Sequence, residues 1–120
     1  MDSATYREQT SRADVFRRAT LTDTVAALES TDADLAQHVR AVLEQSPIPK
    51  PERHGGGADT DIFRVELPVA TVDAIAEALG IAEAGAVATD GTTTREALHF
   101  ATLLDTWLRY KFQLDETHAA

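Results

Sequence analysis

The chain contains no cysteine, which removes disulfides and thiolate chemistry together. It has no apolar run of the roughly 18 residues that a membrane span requires. Its first residues, MDSATYREQTSRAD, lack an apolar h-region, so no signal peptide is expected. Aromatic residues make up only 6% of the chain, and Tyr6, Trp107 and Tyr110 are not interleaved with basic residues as in a single-strand nucleic-acid binder. Lysine is nearly absent: Lys50 and Lys111 are the two among 11 basic residues. At 120 residues one domain is expected, spanning 1–120, with enough chain for a core but too little for most complete enzyme folds.

What the chain has instead is acid. It carries 20 acidic residues and a net charge of −9. Residues 1–60 hold 7 basic and 10 acidic groups, and residues 61–120 hold 4 and 10. Such a field disfavours nucleic acid, whose binding normally needs basic groups that displace phosphate counterions.

The longest helical pattern is TTREALHFATLLDTWLRYKFQL, residues 93–114. Leu104, Leu108 and Phe112, with Ala97 and Ala101, form one stripe. Phe100, Leu103, Trp107, Tyr110 and Leu114 form a second beside it. At about 100° per residue the two stripes cover roughly two-thirds of the circumference, wider than a surface helix needs. Either neighbours in the same chain cover both stripes, or one stripe meets a second subunit. The second option makes Phe100, Leu103, Trp107 and Tyr110 the interface of a homodimer. Asp90-Gly91 marks a turn, and Thr93-x-x-Glu96 reads as a capping box that starts the helix.

Upstream, residues 1–10 are polar and are expected to fray. Ser11-x-x-Asp14 can start a helix carrying Val15, Phe16 and Ala19, and Leu21, Val25 and Leu28 continue it after a shift at Thr20–Thr24. Thr31-x-x-Asp34 is a second start, and Leu35, Val39, Val42 and Leu43 make an amphipathic helix ending before Ser46-Pro47. Residues 12–45 thus read as a helical hairpin. Residues 46–61, SPIPKPERHGGGADTD, read as a flexible loop. Phe63, Val65 and Leu67 alternate with Ile62, Arg64 and Glu66, the pattern of a short strand over 62–67. Val72, Ile75, Ala76 and Leu79 make a helix closed at Gly80 and Ile81. Ala86 to Thr89 is a candidate second strand. The fold class is therefore mainly α: a helical hairpin plus a strand–helix–long-helix unit over 62–114, with room for one short two-stranded element.

Catalytic and metal chemistry find little support. His54-Gly55-Gly56-Gly57 is similar to the oxyanion-hole run of some esterases, but no G-x-S-x-G elbow exists, and no phosphate-loop lysine follows the glycines. Glu96-x-x-His99 has the spacing of half a carboxylate di-iron site, without the second half. His38, His54 and His118 have no ligand-like spacing, and Asp59 and Asp61 lack a calcium-loop context. No catalytic, cofactor-binding or metal-binding residue is assigned, and no enzyme activity is expected.

The composition resembles that of cytoplasmic proteins of extremely halophilic archaea: lysine-poor, rich in alanine and threonine, with aspartate ahead of glutamate. The resemblance spans the chain and implies a multimolar-salt cytoplasm rather than an activity. The composition is shared with small acidic proteins of no assigned function; the wide apolar face of residues 93–114 is what makes a small acidic interaction or regulatory protein the expectation. Residues 61–110 separately resemble a ribbon-helix-helix repressor, through Leu67-Pro68 after a strand and Thr92-Thr93-Thr94-Arg95-Glu96-Ala97-Leu98 at a helix start. That resemblance implies a dimeric DNA-binding regulator with Arg64 as its base contact; Ile62 and Glu66 do not suit base reading, and Gly80–Gly91 is longer than the family's tight turn. Ile75 to Ile81 is also similar to the first helix and turn of helix-turn-helix proteins, but residues 82–90 lack Arg, Lys, Asn and Gln for base edges.

Overall fold

A computed structural model describes residues 3–50 and 61–119, the side chains of Ser3 and of 116–119 excepted. Among the described residues the chain is mainly helical: α1 (Ser3–Thr10), β1 (Val15–Arg17), α2 (Arg18–Glu29), α3 (Ala33–Leu43), β2 (Ile62–Arg64), α4 (Val69–Ala86) and α5 (Arg95–Ala119). The two strands form one small antiparallel sheet. The expected loop is irregular over 46–50 and at Asp61; residues 51–60, with His54–Gly57 and Asp59, lie outside the described residues.

The N-terminal fifth departs from expectation. Residues 3–10 are helical rather than frayed, and buried Tyr6 anchors them. Helix does not begin at Ser11–Asp14. Val15–Arg17 is instead a strand pairing with β2, with Val15 opposite Arg64, Phe16 opposite Phe63 and Arg17 opposite Ile62. The Arg18 N–H donates to the Asp61 carbonyl (3.0 Å) and the Val65 N–H to that of Asp14 (2.7 Å), closing the ladder at both ends. Val15 and Phe16 favour a pleated surface, but their partner lies some 47 positions along the chain, beyond the reach of any local pattern. This settles the partner of β2: residues 86–89 take no part. Ile62, expected on the outer face, is buried with Phe63. Successive strand residues point to opposite faces, so β2 is covered on both. The Ile62 carbonyl also accepts from the Ile48 N–H (2.9 Å).

α2 and α3 form the expected hairpin from Arg18 onward. α2 runs unbroken through Thr20–Thr24, where the shift of the apolar stripe leaves room for a kink or a break. Thr24 is buried, and its hydroxyl donates to the Thr20 carbonyl at 2.7 Å; this internal bond satisfies the polar group without ending the helix. α3 is capped one residue past the expected Thr31. Asp32 accepts from the Asp34 N–H (3.1 Å) and the Leu35 N–H (3.2 Å).

α4 does not stop at Gly80. A Schellman ending needs a left-handed residue, and the one positive-φ residue described is Gly91, at 84°. Alanines at 82, 84 and 86 carry the helix on. The 88–92 turn follows, with the Gly91 N–H donating to the Ala88 carbonyl (2.8 Å). Thr94, not Thr93, caps α5. Its hydroxyl accepts from the Ala97 N–H (3.0 Å) and donates to the Ala86 carbonyl (2.7 Å), tying the end of α4 to the start of α5. Glu96 stays exposed.

Candidate interaction surface

α5 is the central element, and the structure distinguishes its two apolar stripes. Leu103, Trp107 and Tyr110 lie in the chain's own core, and Trp107 is 0% exposed. The Trp107 indole packs on Phe16 with ring centroids 4.6 Å apart. Its N–H donates to the Thr24 hydroxyl at 3.0 Å. Tyr110 donates to the Val65 carbonyl (2.8 Å) and accepts from the Leu67 N–H (3.4 Å). It thereby satisfies the chain where β2 ends and α4 has not begun. Burial pushes the Tyr110 phenol above its usual pKa, against the opposing effect of the Leu67 hydrogen bond. These residues present no surface to a second chain. Phe100, the fourth of the expected set, is half-buried.

The other stripe divides: Ala97 is buried and Leu104 packs against the core, while its far edge, joined by Leu98 from outside both stripes, faces outward. Leu98 is 58% exposed and Phe112 59%, and Ala101 and Leu108 between them are half-buried. Placed at about 100° per residue, these four side chains share one arc, with exposed Asp105 between Leu98 and Phe112. In sequence the stripes looked equivalent. The signal that separates them is chemical: an indole N–H and a phenol in a core require partners, and α2 and the segment after β2 supply them.

Arg64, the expected DNA contact, lies on β2 with its side chain 53% exposed between two carboxylates, Asp14 (3.5 Å) and Glu66 (3.4 Å). Asp14 is also held by Arg12 through two bonds of 3.0 Å. β2, Leu67-Pro68, α4 and the threonine-capped α5 follow one another, with β1 along one side of β2 and Ile48 bonded to the other.

Asp61 joins three segments. Lys50 Nζ lies at 2.8 Å and Arg18 Nη2 at 3.1 Å; the Arg18 guanidinium sits 5.0 Å from the Phe63 ring centre. The Lys50 hydrogen bond, then that of Arg18, holds the Asp61 carboxyl below its ordinary pKa. A carboxylate with a lowered folded-state pKa stabilises above its unfolded value, near 4, and loses that contribution as pH falls through the folded one. Asp61→Asn should therefore flatten the acid limb of a stability–pH curve below about pH 4. Urea unfolding at about pH 6 and about pH 3 checks this; an unaltered limb would contradict it.

Glu96 and His99 are exposed and flank a groove with Asp23. Among the described residues no three His, Asp or Glu side chains are grouped to hold a metal ion, and no helix is long and apolar enough to cross a membrane. Comparison with protein-family models, curated proteins and solved structures finds no match.

Proposed function

We propose that this chain is a non-catalytic interaction or regulatory protein of a high-salt cytoplasm, and that its α5 stripe meets a second copy of itself. The observation that carries the reading is the pair of large apolar side chains, Leu98 and Phe112, exposed at 58% and 59% on one arc of the longest helix. Exposed apolar surface that is continuous marks interaction sites, and half-buried Ala101 and Leu108 link the two side chains.

A second copy fits the order of residues along the stripe. An antiparallel two-fold pairing centred on Asp105 sets Leu98 against the other copy's Phe112. It also brings each Asp105 within one helical turn of the other copy's Arg109, an opposite charge repeated on both sides of the axis. The two Asp105 side chains approach each other at the axis. Multimolar salt, with a Debye length of about 3 Å or less, reduces that repulsion.

The geometry makes a cross-linking test sharp, because the chain has no cysteine of its own. Helices packed at about 8–10 Å bring facing Cα atoms on the axis close to the roughly 4.4–6.8 Å that a disulfide needs. Asp105→Cys under mild oxidation should give a covalent dimer, and a cysteine at exposed Glu8 should not. Equal yields from both would count against the pairing. The ribbon-helix-helix alternative would require β2 to exchange β1 for a second chain; an operator shift weakened by Arg64→Ala would favour it.

A further inference from the structure

We infer that a second surface, the groove over the α2–α3 turn, docks a basic, apolar peptide segment of another protein. Three depressions adjoin there, of about 300, 220 and 220 Å³. The first two share Ser30, Glu96 and Phe100, and the last two meet at Thr31, so they lie end to end as one trough interrupted at Thr31. It crosses from α2 over the start of α5 and the end of α4 to the start of α3.

Two properties of its wall select the occupant. The floor is apolar: half-buried Phe100 and Leu35 line it with several alanines, and Ile81 stands at its edge 60% exposed. The charge is of one sign. Asp23, Asp32, Glu77 and Glu96 line the trough, drawn from four different helices or their caps, and among the described residues no Arg or Lys does. Elsewhere the carboxylates of Asp14, Asp61 and Asp73 are matched by arginine or lysine. Asp32 spends one oxygen on capping α3, and the side chains of Asp23, Glu77 and Glu96 are solvent-exposed. A segment alternating apolar residues with Lys or Arg satisfies both properties. A second copy of this chain, at net charge −9, does not.

The trough is independent of the α5 stripe. Leu98 lies about 200° around the helix from both Glu96 and Phe100, so the two surfaces can fail separately. The probe is a fluorescein-labelled peptide of about twelve residues alternating lysine and leucine, titrated in about 1 M KCl. The Debye length there is about 3 Å, so only charges in direct contact contribute. Glu77→Lys/Glu96→Lys is compared with Glu8→Lys/Glu66→Lys, which makes the same change of net charge outside the trough. The trough variant is expected to weaken binding at least about tenfold and the control less than about twofold, a difference of about 1 kcal/mol or more. Ile81→Ser, at an exposed position that costs little stability, is expected to weaken it several-fold. Equal weakening by the two charge variants, full competition by spermine, or no binding to the wild type would each overturn the inference. The first two would mean attraction by charge alone.

Discussion

Trp107→Ala is expected to lower folding stability by about 3–5 kcal/mol, a large part of the roughly 5–15 kcal/mol that holds a domain of this size together. The indole is 0% exposed and packs on Phe16 and Tyr110. Its removal leaves a cavity where α5, α2 and β1 meet. The loss is one of packing more than of hydrogen bonding, because Thr24 keeps its bond to the Thr20 carbonyl. Trp107→Phe should therefore cost much less than Trp107→Ala. Thr24→Val has the converse effect: it leaves the indole N–H buried without an acceptor, at about 1–3 kcal/mol. Urea denaturation of the three variants gives the order directly. A Trp107→Ala loss below about 1 kcal/mol would show that α5 is not the centre of the core.

Raising KCl from about 0.1 M to about 2 M is expected to raise the melting temperature by about 10 °C, equivalent to a few kcal/mol at this chain length. The cause is self-repulsion. Twenty acidic residues against 11 basic ones leave a net charge of −9 on 120 residues, and the Debye length falls from about 10 Å to about 3 Å or less over this range. The ion pairs at Asp61 and Asp14 lose some strength to the same screening, but they are few beside the unmatched carboxylates. A melting temperature that stays flat or falls with KCl would remove the high-salt reading and leave an ordinary acidic protein.

Elements that rest on local periodicity were legible in the sequence. α3, the long α5 and a strand near Ile62 follow from apolar spacing alone, as does the mainly helical class. Three features were not. β1 was hidden because Val15, Phe16 and Ala19 also fit a helical stripe, and the pairing that decides between them is with residues 62–64. The extent of α4 was hidden because Gly80 is a strong local stop signal that the following alanines outweigh. The inward face of α5 was hidden because two adjacent stripes of similar hydrophobicity cannot be ranked from within one helix. Thr24 on α2 and the Val65 carbonyl after β2 rank them, by accepting from Trp107 and Tyr110. The outward stripe at Leu98 and Phe112 is thus the remainder left once the polar tips of the aromatic residues have found their partners.

The most direct measurement is the solution mass by light scattering in about 2 M KCl, with Leu98→Asp/Phe112→Asp run beside the wild type. Both side chains are exposed, so the variant should keep its fold, and circular dichroism verifies that. A wild-type mass of twice the chain's 13.0 kDa, with the folded variant at the single-chain mass, is the expected result. A wild type that remains monomeric at high protein concentration would contradict the pairing of α5 with a second copy.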